Sequence, residues 1–142
     1  MDAHLHKTIA TLRADGSPRI SGIEATFAEG QLWFGSMPDA RKGRDLQRDP
    51  RFALHSASVD PPKGAESSWS GDAKLSGRAV QITDPDELAA VWRLLGAPPD
   101  PHSELFRANL REVVVTRVGD PADHLVIELW RPWHPLRRIE RR

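Results

Sequence analysis

Two tight turns near the N-terminus commit this chain to antiparallel β-structure. Asp15-Gly16-Ser17-Pro18 and Glu29-Gly30 each reverse the backbone within a few residues, because glycine accepts positive φ and proline presets a turn conformation. They separate three strand-like runs. His6 to Arg13 carries Ile9 and Leu12 among small residues. Arg19 to Ala28 places Ile23, Ala25 and Phe27 on one face at period two, and Gln31 to Gly35 contains Leu32-Trp33-Phe34. Strands joined this closely pair with their sequence neighbours, so the pattern predicts an antiparallel meander. Ile20 falls on the opposite face from Ile23, and Gly22 between them reads as a bulge.

A basic segment then interrupts the strands. Ala40 to Arg48 predicts a short helix, ended by Asp49-Pro50 because the residue before proline avoids the helical region. Its first turn carries Arg41 and Lys42 beside unpaired N–H groups and the positive end of the macrodipole, which suits a phosphate. A solvated basic helix joining two strands fits the same pattern.

Further on, Phe52 to Ala57 and Ala73 to Ile82 read as strands, the second with Gly77 at its middle. Between them Val59 to Ser70, with Pro61-Pro62, Gly64 and three serines, reads as a long loop, a kind of segment often functional or mobile. The next helix is well marked. Asp84 can cap it, Pro85 suits its first position, and Glu87 stands where a capping-box acid belongs. Leu88, Val91, Trp92 and Leu95 form its apolar face, and Gly96 with Pro98-Pro99 stops it. After a loop from Ala97 to Ser103, Arg111 to Val118 and His124 to Trp130 predict two more strands, and Leu136 to Glu140 a short last one. The sum is a mainly β chain of six to seven strands with two short helices, read as one domain over residues 1–142. Such sheets close into barrels or sandwiches, and a barrel is favoured here, its helices plugging an open end or covering a seam.

Composition narrows the chemistry. Twenty basic and 20 acidic residues balance, which argues against a general binder of nucleic acid or membrane surfaces. The chain has no cysteine and no tyrosine, which removes disulfides, thiolate ligands, cysteine nucleophiles and phenolic acids. No apolar run reaches the length of a membrane span and no secretory h-region is present, so a cytoplasmic protein is expected. Five tryptophans supply large flat surfaces for a core, an interface or an aromatic ligand.

Other candidates carry weaker signals. His4 and His6 share a strand face, but a metal site needs further ligands. His55 lies on a strand and reads as a structural histidine ahead of a proton donor. Ser36, Asp39 and His55 contain the letters of a hydrolase triad without a nucleophile-elbow pattern. Trp69 in the long loop and Trp133 beside His134 could stack on a ligand or pack in an interface. The arginines at 137, 138, 141 and 142 could bind anions or form a solvated basic end.

The order of these elements resembles the pyridoxamine 5′-phosphate oxidase-like superfamily of FMN-binding split barrels. Thr8 to Arg19 is similar to that family's first hairpin, a strand, Asp-Gly-x-Pro and a strand. Leu32-Trp33-Phe34-Gly35-Ser36, then Ala40-Arg41-Lys42, Leu46 and Arg48-Asp49-Pro50-Arg51, resembles its arginine-lysine signature followed by leucine and Asp/Asn-Pro. Leu75-Ser76-Gly77-Arg78-Ala79 resembles its central strand, with Gly-x-Ala. The resemblance implies a homodimer with cofactor clefts between subunits, holding FMN, the deazaflavin coenzyme F-420 or, in a smaller branch, haem. It implies a flavin- or deazaflavin-dependent oxidoreductase acting on a small molecule, or a non-catalytic binding protein on the same barrel. Carried over, Arg41 and Lys42 hold the cofactor phosphate, Ser36 and Met37 lie along the cofactor, and Trp69 and Trp133 are candidate stacking residues. No catalytic residue is assigned. Three departures stand out. Ala40 replaces a residue that is often hydroxyl-bearing, the chain starts almost at its first strand where relatives carry a helix, and it is shorter than true pyridoxamine phosphate oxidases. Trp130 to Arg138 only loosely resembles their substrate-binding segment.

Overall fold

A computed structural model describes residues 4–98, 100 and 102–142. Pro99, read above as part of a helix stop, lies outside the described residues. The elements in chain order are β1 (His6–Leu12), β2 (Pro18–Ala28), β3 (Gln31–Ser36), α1 (Arg41–Arg48), β4 (Arg51–His55), β5 (Asp72–Ile82), α2 (Pro85–Leu94), β6 (Glu104–Val118), β7 (Leu125–Trp130) and β8 (Arg137–Arg141). All pairings are antiparallel, in the order β3-β2-β1-β4-β5-β6-β7-β8, and β3 also pairs with β6. The ring β3-β2-β1-β4-β5-β6 is therefore a closed six-stranded barrel, and the β7–β8 hairpin extends from β6.

The turns follow from local chemistry. In the first, Asp15 Oδ1 accepts from the Ser17 N–H at 2.9 Å and Gly16 sits at φ +82°. In the second, Glu29 at φ +48° and Gly30 at φ +69° twist in the sense that suits a two-residue hairpin. The β1–β2 register runs without a break through Gly22, so the bulge expected there is absent. It lies instead between Ser76 and Gly77, where β6 carries an extra residue, Arg111. A Cβ on Gly77 would meet the Asn109 carbonyl at 2.2 Å, so glycine is what lets the two backbones approach. The bend divides the work of β6. Its first half closes the barrel against β3, and its second half holds β7.

Phe34 lies at the centre of the core, edge-on to Phe52 at 5.3 Å and stacked on Phe106 at 5.8 Å. Ile9, Ile23, Leu54 and Leu75 surround them, and Leu46 of α1 joins the same cluster, so α1 plugs an end of the barrel. Strand alternation puts Trp33 and Leu105 on the other side of the wall. There α2 covers the β3–β6 seam with Leu88, Val91, Trp92 and Leu95. As its sequence predicts, α2 is capped by Asp84, which accepts from the Asp86 and Glu87 N–H groups at 3.1 and 2.8 Å.

A buried polar cluster ties α1 to the barrel. Asp45 is 3% exposed. Its carboxylate accepts from Thr11 Oγ1 at 3.0 Å, Arg19 Nε at 2.6 Å and Arg48 Nη2 at 3.0 Å. Burial pushes its pKa up, but these three hydrogen bonds outweigh burial and hold it below the ordinary carboxylate range. No helix of the described residues is long and apolar enough to cross a membrane.

Candidate functional site

The chain leaves β3 at Ser36, passes Met37 and Pro38, turns at Asp39 (φ +57°) and enters α1. Ala40 occupies the N-cap and offers no side-chain acceptor, and no acid stands in the first turn. Arg41 and Lys42 stand there instead. Two cations at the positive pole of an uncapped helix repel that pole and leave N–H groups without acceptors. An anion seated there satisfies both. The lysine ammonium donates to the Gly22 carbonyl at 2.7 Å, which aims it across β2.

A cavity of about 750 Å³ opens beside this helix start, a size that accepts a drug-sized or cofactor-sized ligand. Its walls come from β2, the end of β3, α2 and the start of β6, with Trp33, Trp92 and Leu95 among the apolar lining side chains. Ser36, Met37 and Lys42 also line it. Ser36 is buried and Met37 is 73% exposed. The indole N–H of Trp92 is buried behind this wall without a hydrogen-bond partner. His6 lies at the same cavity, 3.8 Å from Glu24.

Beneath the helix start lies Glu104, which pairs with Ser36 across the β3–β6 seam. Gln47 Nε2 donates to its Oε1 at 3.0 Å, while Oε2 is buried with no partner. Burial pushes this carboxyl above the usual carboxylate range. The nearby Asp39 acts in the same direction, whereas Gln47, Ser36 and Arg44 oppose it.

The remaining sequence candidates lie elsewhere. Arg41 is exposed at the helix start and is not a lining residue of the cavity. Trp69 lines a second cavity of about 650 Å³, together with His124 and Arg141. Trp133 is 97% exposed in the turn between β7 and β8. His55 meets the Ser56 carbonyl at 2.7 Å and Asp72 at 3.4 Å, so its partners are neither Ser36 nor Asp39. Among the described residues no group of three or more potential ligands is placed to hold a metal. Sequence reasoning missed Glu104, Gln47 and the Trp92 N–H. The first two meet across 57 positions, and no local pattern announces such a contact.

Residues 4–116 match the family described as pyridoxamine 5′-phosphate oxidase. No curated protein matches the chain. Among solved structures, a pyridoxamine 5′-phosphate oxidase-related FMN-binding protein from Nostoc punctiforme superposes with a TM-score of 0.69 at 15% identity, over 97% of this chain and 87% of that one. A haem-binding protein from Mycobacterium smegmatis gives 0.63 at 16% identity, over 96% and 53%. An F420 reductase gives 0.56 at 17% identity, over 77% and 88%. At these identities the likeness is one of fold, and the chain spans only about half the length of some neighbours. The family match covers most of the chain, which belongs to the pyridoxamine 5′-phosphate oxidase family.

Proposed function

We propose that this member of the pyridoxamine 5′-phosphate oxidase family binds a flavin-type cofactor, FMN or the deazaflavin coenzyme F-420, and works as an oxidoreductase on a small organic molecule. The observation that carries the reading is the uncapped, doubly cationic start of α1, which opens beside an aromatic-walled cavity of about 750 Å³. The residues fit such a group. Lys42 and Arg41 with the first-turn N–H groups take the phosphate. Ser36 and Met37, at the end of β3, would lie along the cofactor, and Trp33 and Trp92 would supply aromatic surface to its ring system. When bound, the cofactor supplies hydride transfer, and the protein supplies position and polarity. The apolar walls exclude water from the ring, and Lys42, braced on Gly22, keeps the phosphate in register.

The working unit in this reading is a cytoplasmic homodimer. Trp69 and Trp133 do not line the cavity of their own chain, so they reach a cofactor only from a second copy. A second reading, a non-catalytic haem or small-ligand binder on the same barrel, is favoured by the fold shared with the haem-binding protein.

Titration with FMN, coenzyme F-420 and haem in parallel, followed by tryptophan quenching and visible absorbance, separates the readings. Saturation by a flavin or deazaflavin that then cycles between redox states with a substrate supports the first. Saturation by haem alone supports the second. In the double variant Arg41→Ala with Lys42→Ala, cofactor affinity should fall about 100-fold or more, the equivalent of two charge-assisted hydrogen bonds, with the circular dichroism spectrum unchanged. Unaltered affinity removes the phosphate seat.

A further inference from the structure

Glu104 is an acid placed against the first turn of a helix that has no side-chain cap and carries Arg41 and Lys42 there. Its neighbours Ser103 and Leu105 line the cavity, while Glu104 itself points from the β3–β6 seam toward α1. The contact is close. A Cβ built on Gly43 would lie 1.6 Å from Oε2, 2.8 Å from the carboxyl carbon and 3.1 Å from Ser36 Oγ. Glycine at the third position of α1 is therefore what makes room for the carboxyl. Gln47, one turn further along, donates to Oε1 at 3.0 Å and pins the group. That leaves Oε2 buried with no donor, a costly state for a carboxylate oxygen. The Ser36 hydroxyl lies on the same side of Gly43 and favours the ionised form, in opposition to burial.

We infer that Glu104 is a positioning residue whose carboxyl takes up a proton when a phosphate monoester occupies the start of α1. This rests on the cofactor seat proposed above and assigns its regulation. The physical reason is charge. A phosphate at the first turn adds negative charge next to a carboxyl already short of donors, and the neutral acid removes the repulsion. The charged groups that act most strongly on Glu104 are Asp39 in the turn before α1, which also favours the neutral form, and Arg44 on α1, which opposes it; Ser36 and Gln47 are uncharged polar neighbours that favour the ionised form. The proton comes from solvent, so free protein, phosphate ligand and one proton give the bound state with a neutral Glu104. Affinity for the phosphate ligand then falls as pH rises and the carboxyl ionises.

The test compares wild type with Glu104→Gln, which stays neutral at every pH, and Glu104→Met as a second neutral side chain of similar length. FMN and riboflavin are the probes, with dissociation constants measured from pH 5 to pH 8. The phosphate's own ionisation, near pH ~6, is common to all three proteins and cancels in the ratio of their affinities. The expected result is equal FMN affinity at pH 5 and tighter binding by the variants at pH 8, by about fivefold or more, the lower range of coupled sites. Riboflavin, which lacks the phosphate, should show no such divergence. Calorimetry in two buffers of different ionisation enthalpy should count more protons taken up with FMN by wild type than by the variants. An FMN affinity ratio that stays flat with pH, or the same divergence with riboflavin, overturns the inference while leaving the cofactor seat in place. Wild type that saturates with neither FMN nor coenzyme F-420 refutes the seat and the coupling with it.

Discussion

Replacing Asp45 with asparagine tests what holds α1, and with it the cofactor seat, on the barrel. Both oxygens of Asp45 are acceptors. Oδ2 takes Thr11 and Arg19, and Oδ1 takes Arg48. An asparagine turns one oxygen into an N–H donor, so whichever way it flips, a donor faces an arginine. The Arg19 pair is the strong one, with side chains 18% and 5% exposed. A hydrogen bond to a buried charge contributes roughly 1.5–3 kcal/mol, and breaking a buried pair by removing one member costs about 3–5 kcal/mol. The Arg48 pair is 41% exposed on the arginine side and contributes little after solvent screening. We expect Asp45→Asn to lose about 3 kcal/mol in urea unfolding, a large share of the ~5–15 kcal/mol of a typical domain, and to lower Tm by roughly 10 °C. A double-mutant cycle with Arg19→Met should return a coupling of about 2 kcal/mol. A coupling below about 0.5 kcal/mol would falsify the idea that this pair carries the attachment, even if the single variants are unstable.

Two further predictions concern the same scaffold. Because hydrogen bonds hold Asp45 below the ordinary carboxylate range, its contribution is fully present above the unfolded carboxylate value and is lost as pH falls through the lowered folded value; the stability gap between wild type and Asp45→Asn should therefore close in acid urea titrations, and a gap independent of pH would contradict the assignment. Gly77→Ala should cost about 2–3 kcal/mol in urea unfolding, since its Cβ meets the Asn109 carbonyl at 2.2 Å and backbone cannot swing aside as a side chain can; a loss within about 0.5 kcal/mol would show that β5 and β6 yield there.

Features built from neighbouring residues were legible in the chain. Asp84, Pro85 and Gly96 delimit α2 because capping and stopping a helix are local events. The first meander follows from Asp15-Gly16 and Glu29-Gly30 for the same reason. The first half of β6 was not legible. Glu104 to Leu110 received no assignment from its sequence, yet it pairs with β3 on one side and β5 on the other, and that placement comes from barrel closure, not from any preference of its own. The bulge went to Gly77 and not Gly22 because β6 has to bend there to hold both β3 and β7, while the β1–β2 hairpin has no second duty.

The site divides along the same line. Sequence alone determined that a helix begins with Arg41 and Lys42 just after a strand, that Ala40 cannot cap it, and that thiol and phenol chemistry are excluded. Tertiary structure decided what lies around that helix start. Closure of β3 on β6 carried Glu104 beneath it, packing of α2 brought Trp92 beside Trp33, and Asp45 found Arg19 across 26 positions and Thr11 across 34. Capping, charge and turn geometry act over a few residues and are written in order along the chain. Burial, shape and the pairing of distant polar groups exist only once the barrel has closed.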